Sequence, residues 1–189
     1  MNVTRYPRYS LIKSRITHCQ AAGLSRWPDS NVVLIGGPGL NTLSRDINEV
    51  LARNGAWFKG FYFSPVPDPT IPWATRSHQE PEEPGILYRN HYERLSDGSL
   101  QDFGIIYVGP NPLSSNHWLV FVAGLSSAGT VGTAMVFEEP AILELIAQGL
   151  IDKYHYCSAL IDYRFADMQQ RREGTIASVA IVRGAIQSS

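Results

Sequence analysis

Glycine, serine and threonine crowd two short stretches of this chain, and each stretch follows an apolar run. The first is VVLIGGPGLNT (residues 32–42) and the second is VFVAGLSSAGT (residues 120–130). An apolar strand, a glycine-rich turn and then a helix suit the binding of an anion. Free backbone N–H groups at a helix N-terminus point at the ligand, and glycine lets it come close. In the first stretch the candidate ligand-binding residues are Gly36, Gly37, Gly39, Asn41 and Thr42, with Arg45 adding charge from the first helical turn. In the second they are Gly124, Ser126, Ser127, Gly129 and Thr130. A third loop, YVGPNPLSS (107–115), follows another apolar run and would bring Asn111 to the same rim. In an open α/β sheet ligands bind beyond the carboxyl ends of strands, where such loops splay apart. The expected ligand is a small phosphorylated metabolite, with a nucleotide as the candidate cofactor. Neither stretch is a known phosphate signature. GGPGLNTLSR lacks the lysine of G-x-x-x-x-G-K-[ST], and Gly37 and Gly39 match only the first spacing of G-x-G-x-x-G. The competing reading is that glycines sit there only because strand-to-helix corners are tight.

A second chemistry starts from GLSSAG. Gly124-x-Ser126-x-Ala128 is close to the nucleophile elbow G-x-S-x-G, with its last glycine replaced. His155 lies downstream with Asp152 and Asp162, so the order serine, acid, histidine is available through Asp152. Asp152 and His155 are close in sequence, however, where a triad draws them from separate loops. This alternative is a small nucleotide or ester hydrolase at the same rim, with Ser126 or His117 as catalytic candidate. The plainer reading makes these serines helix caps. Asp102-Phe103-Gly104 spells a kinase motif, but no lysine strand or catalytic loop accompanies it, so Asp102 reads as a strand-initiating carboxylate. His78, His91, His117 and His155 show no metal-ligand spacing, and no metal is expected. Trp57, Phe58, Phe61, Tyr62 and Phe63 read as core.

The elements that must position these residues follow from periodicity. NVVLIGG (31–37) reads as a strand buried on both faces, because both alternating faces are apolar. NTLSRDINEVLARNG (41–55) reads as a helix capped by Asn41, with Leu43, Ile47, Val50 and Leu51 as its apolar stripe. AWFKGFYF (56–63) reads as a second strand, which predicts a β-α-β unit with a parallel pair. Residues 64–85 hold six of the twelve prolines, so they read as a long loop that covers the site or meets a partner. GILYRNHYERL and LQDFGIIYVG predict an antiparallel hairpin around Asp97-Gly98, and PNPLSSN reads as a loop. TVGTAMVFEE and PAILELIAQGLIDKY read as helices, the latter with Pro140 in its first turn. HYCSALIDYRF and TIASVAIVRGAI are late strands. The sum is α/β: a mixed, partly parallel sheet flanked by helices, with one antiparallel hairpin.

Composition bounds the rest. The chain has 189 residues, enough for one domain with a real core. Residues 31–189 read as that single α/β domain, and residues 1–30 as an N-terminal extension or linker. A formal charge of −1 gives no bulk attraction to nucleic acid or to anionic membranes. No apolar stretch is long enough to span a bilayer, and the basic N-terminus lacks an apolar signal core. Cys19 and Cys157 have no metal spacing and read as reduced thiols of a cytoplasmic protein, although one disulfide is open to them. The partners expected are a phosphorylated small molecule and, alternatively, a second copy or another protein. In that last case the chain is an interaction module using the proline-rich loop.

Four motifs carry a resemblance. Gly36, Gly37, Pro38 and Asn41 end the first strand; Asp102, Phe103 and Gly104 form D-F-G; Asn111 and Pro112 form N-P; Ala123, Gly124, Gly129 and Thr130 form A-G-x-x-x-x-G-T. This pattern resembles a group of bacterial Rossmann-like domains without an established reaction, over residues 31–134. The resemblance implies a doubly wound, flavodoxin-like domain of the kind that accompanies other modules in sensory or defence proteins. It implies a site location and no chemistry. No appended effector is expected beside this domain.

Overall fold

The computed structural model describes residues 30–39, 41–68, 71–77, 88–89, 93–148, 150 and 154–186. Residues 1–29, most of the predicted N-terminal extension, lie outside them, as do residues 69–70 and 78–85 of the proline-rich region. Nine strands and three α-helices are described: β1 (Val32–Ile35), α1 (Thr42–Arg53), β2 (Phe61–Asp68), β3 (Ile71–Ser77), β4 (Tyr88–Arg89), β5 (Glu93–Arg94), β6 (Leu100–Asn111), β7 (Ser114–Gly124), α2 (Ser127–Met135), α3 (Pro140–Ala147), β8 (His155–Phe165) and β9 (Thr175–Ala185). A 3-10 turn, Val136–Glu138, joins α2 to α3.

The main sheet runs β1-β7-β6-β8-β9, with β5 added to the start of β6. Among its described strands only β1 and β7 are parallel; every other pair is antiparallel. The fold is therefore α/β with a mixed sheet, as patterning predicts, but the parallel partner of β1 is not β2. Strand β2 joins β3 and β4 in a separate antiparallel sheet. Two side chains fix it there. Asn48 of α1 accepts from Phe63 N–H at 2.7 Å and donates to Phe63 C=O at 2.8 Å, and Ser158 Oγ on β8 accepts from Phe61 N–H at 2.9 Å. Both Asn48 and Ser158 are buried, so these bonds replace lost water and set where β2 lies.

The proline-rich segment is correspondingly not a long loop over residues 64–77. Strand β2 is an edge strand, where a residue without an N–H is tolerated on the outer side, and a register irregularity falls between Pro65 and Asp68. The predicted hairpin is also redistributed. Among the described residues only Glu93–Arg94 pairs with β6 across the Asp97-Gly98 turn, where Gly98 takes φ of 86°; Tyr88–Arg89 pairs with β3 instead. The long hairpin is β6–β7, turning at Pro112-Leu113, a stretch that reads as loop in the sequence.

Alternation along the strands divides the core in two. Leu34, Ile105, Leu119, Phe121 and Ala123 face α1 and the small sheet, packing with Leu43, Ile47, Leu51, Phe58 and Phe63. Ile106, Cys157, Ala159 and Ile161 face the other way, against Val136 and Ile146. Helix α1 therefore covers one face of the sheet, while α2 and α3 cover the other. Strand β1 departs from expectation here. Val33 and Ile35 are 69% and 61% exposed, because β1 is an edge strand and its second face is left uncovered at that edge. The helix at 42–53 forms as its pattern predicts. Asn41 Oδ1 accepts from Ser44 N–H at 3.2 Å, and Asn54 takes the C-cap. Proline at the first turn of α3 also matches.

Candidate functional site

Strands β1 and β7 run side by side in the same direction, and each feeds a helix at its carboxyl end. Helix α1 goes to one face and α2 to the other. In an open sheet this arrangement makes a crevice between the two connections. Gly36, Gly37, Gly39, Asn41, Thr42 and Arg45 stand on the α1 side of the crevice; Gly124, Ser126, Ser127, Gly129 and Thr130 stand on the α2 side. Eleven of the predicted ligand-binding residues thus share one end of the sheet. The two corners touch, since a Cβ on Gly37 would run into the carbonyl oxygen of Gly124.

Asn111 does not belong there. It pairs with Ser114 at the opposite end of β6, seven residues from the Gly104–Gly124 pair, about 24 Å at strand spacing. Its Oδ1 accepts from Leu113 N–H at 3.0 Å and shapes the hairpin turn. His117 is likewise at the far end, because β7 begins where β6 finishes. Its Nδ1 lies 3.1 Å from Ser114 Oγ, and no contact brings it to Ser126. The predicted Ser126–His155 relation fails for the same reason. His155 opens β8 opposite Ala185, while Ser126 lies beyond the other end of the sheet; Asp152 is outside the described residues. Antiparallel pairing of β6 with both neighbours produces all three corrections.

The α2 corner is closed from within. Asp102 is fully buried on β6 and points at the start of α2. Its Oδ2 accepts from Gly129 N–H at 2.7 Å and from the Ser126 hydroxyl, and its Oδ1 accepts from Phe103 N–H at 2.7 Å. Ser126 Oγ also accepts from Ala128 N–H at 3.0 Å, so Ser126 is the N-cap of α2. Thr130 Oγ1 accepts from Gly124 N–H at 3.1 Å and donates to Ser126 C=O at 3.1 Å. The Ala128 and Gly129 N–H groups and the Ser126 hydroxyl are occupied, and the negative charge a helix N-terminus favours is supplied by the chain itself. Burial raises the Asp102 carboxyl above its ordinary range, while the bonds from Ser126, Phe103 and Gly129 pull it back. Asp102 is therefore a positioning group rather than the strand-initiating carboxylate that its place in DFG suggests. Its sequence signal is a lone acid near the start of a mostly apolar strand. Knowing its partner requires the register of β6 against β7.

The α1 corner is open. Gly36 takes φ of 114°, which glycine alone adopts cheaply, and donates its N–H to Val122 C=O at 2.9 Å. Gly39, Thr42 and Arg45 are exposed. In the first turn of α1, Ser44 N–H goes to Asn41 Oδ1 and Arg45 N–H to Asn41 C=O at 3.0 Å. The N–H groups of Thr42 and Leu43 are the ones an α-helix leaves without an intrahelical acceptor. Arg45 Nε donates to Pro38 C=O at 3.3 Å, which holds the guanidinium beside the turn.

What fold and site define together is an α/β domain with a crevice at its parallel strand pair, open on one side only. Comparison with protein-family models, curated proteins and solved structures finds no match. Among the described residues no helix is long and apolar enough to cross a membrane.

Proposed function

We propose that this chain is a ligand-binding domain that holds the phosphate of a nucleotide or phosphorylated metabolite at the α1 corner. The supporting observation is the asymmetry of the crevice: Asp102 fills the α2 helix start, whereas the α1 start has no acid in its first turn and carries Arg45 beside an exposed Thr42. An anion there gains unpaired N–H groups, the helix dipole and one guanidinium. A Rossmann-like relation is the finer fold reading that this placement favours, and a sensory or defence role in the cytoplasm is the setting the resemblance suggests. Binding without turnover is favoured because the Ser126 hydroxyl is engaged in the helix cap with Asp102 and Ala128, and neither His117 nor His155 stands at it. Inorganic pyrophosphate and a panel of nucleotides are the probes. At a hundredfold excess over Kd a ligand adds about 2.7 kcal/mol, several degrees in Tm for a chain of this size. Arg45→Ala, an exposed change, is expected to abolish the shift and leave the unliganded Tm in place. A flat screen, or a shift that Arg45→Ala does not reduce, defeats the reading.

A further inference from the structure

Strand β1 lies at one end of the main sheet and turns its two sides to different surroundings. Val32 and Leu34 enter the core under α1, whereas Val33 and Ile35 are exposed. Register extends that open side inward. Val33 pairs with Val120, and across the next ladder Val120 pairs with Val108. Val120 and Val108 are half-buried, and so is Trp118, which shares their side because it stands two residues before Val120 on β7. Helices α2 and α3 stand over the farther part of this face, where Val136 and Ile146 pack on Ile106, Cys157, Ala159 and Ile161. The layer they form is acidic. Residues 127–147 carry Glu138, Glu139 and Glu144, all exposed, and no lysine, arginine or histidine. At β1 an apolar floor thus lies open beside an acidic wall.

We propose that residues 9–24 of this chain cover the floor, with their cations toward the acidic wall. Three observations select them over another occupant. First, the chain enters β1 at the edge of the floor itself, since Asn31 Oδ1 accepts from Trp118 N–H at 2.8 Å. Trp27-Pro28-Asp29-Ser30, just before it, is turn chemistry that sends a chain back over the sheet. Second, YSLIKSRITHCQAAGL carries Ile12, Ile16 and Cys19 at the i, i+4, i+7 spacing by which a helix lays one apolar side on a sheet. Third, the charges are complementary. Residues 1–29 hold five lysines and arginines against one acid, whereas residues 30–189 hold eleven against sixteen. A second copy would bring an equally acidic wall to the same place and be repelled. The proposal is independent of ligand binding, because α1 and its corner lie on the opposite face of the sheet.

Hydrogen exchange read by mass spectrometry on the full chain tests it. The amides of residues 9–24 are expected to exchange about tenfold or more slowly than those of the same peptide alone. Val33→Lys places an ammonium group on the floor and is expected to remove that protection. Ile16→Lys is expected to remove it from the other side. Both changes should leave the amides of β6 and β8 protected, which shows the sheet intact; should Val33→Lys disturb it, Ile16→Lys decides alone. Glu138→Lys combined with Glu139→Lys is expected to cut the protection about threefold, and added salt to act in the same direction. Free exchange of residues 9–24 in the unsubstituted chain overturns the proposal. So does protection that neither Val33→Lys nor Ile16→Lys reduces, which places the segment elsewhere. Protection that grows with protein concentration assigns the floor to a second copy, and protection that requires anionic vesicles assigns the segment to a lipid surface; either result overturns it as well.

Discussion

The two glycine corners of this domain look alike in sequence and differ in what occupies them. At α1 the turn is open: a Cβ on Gly36 meets nothing nearer than Asn41 Nδ2, at 3.8 Å. At α2 the turn is filled, and a Cβ on Gly124 would strike the backbone of Thr130 and Gly129. Gly36 serves by its dihedral freedom, whereas Gly124, and Gly37 packed against it, serve by their lack of volume. A glycine-rich strand-to-helix turn therefore announces a ligand site only when no interior group has taken the helix N-terminus. Here a carboxylate from a different strand has taken one of two.

The largest expected effect tests that difference directly. Gly124→Ala forces backbone apart at a packed junction and is expected to cost about 3 kcal/mol or more. Gly36→Ala meets only backbone strain at positive φ and is expected to cost about 1–2 kcal/mol. Urea unfolding of both variants measures the gap. Equal losses would mean that the two corners are packed alike.

How legible these corners were depends on how local each determinant is. The α1 cap is a contact between Asn41 and Ser44, three residues apart, and the pattern of the chain predicts it. Strand β8 appears with its predicted limits, 155–165, since its alternation is self-contained. The fill of the α2 corner is a contact between Asp102 and Ser126, 24 residues apart, and depends on the β6–β7 register. The same hairpin carried Asn111 and His117 away from the crevice. The partner of β1 is likewise remote: Val32 pairs with Leu119 across an intervening second sheet that the prolines of β2 disguise as loop. Local patterning shows that a turn exists; only pairing shows what fills it.

Asp102 supplies the next contrast. Asp102→Ala leaves the buried Gly129 N–H without its acceptor and is expected to cost about 2–3 kcal/mol. The pH dependence has a definite sign. The unfolded carboxyl titrates near 3.8 and the folded one higher, so above 3.8 the folded state holds more protons. Stability therefore falls as pH rises from there through the folded value, and then levels off. Asp102→Asn should erase that falling limb, whereas Arg45→Ala at the α1 corner should preserve it. A limb that survives Asp102→Asn would assign the titration elsewhere and weaken the account of the filled corner.

The smallest expected effect separates capping from binding. Asn41 and Ser126 are both N-caps, and replacing either by alanine is expected to cost about 1 kcal/mol. Ser126→Ala should cost slightly more, because Asp102 loses a donor in a buried place. Stability alone hardly distinguishes them, but their effect on ligand should. Asn41 sits at the open helix start, so Asn41→Ala loosens the first turn that would meet a phosphate and should reduce the pyrophosphate-induced Tm shift. Ser126→Ala leaves the α1 turn intact and should reduce it little. Equal reductions would mean that the anion bridges both corners, and that Asp102 yields its helix start when ligand arrives. The closed α2 corner would then be one state of a site rather than a finished piece of packing.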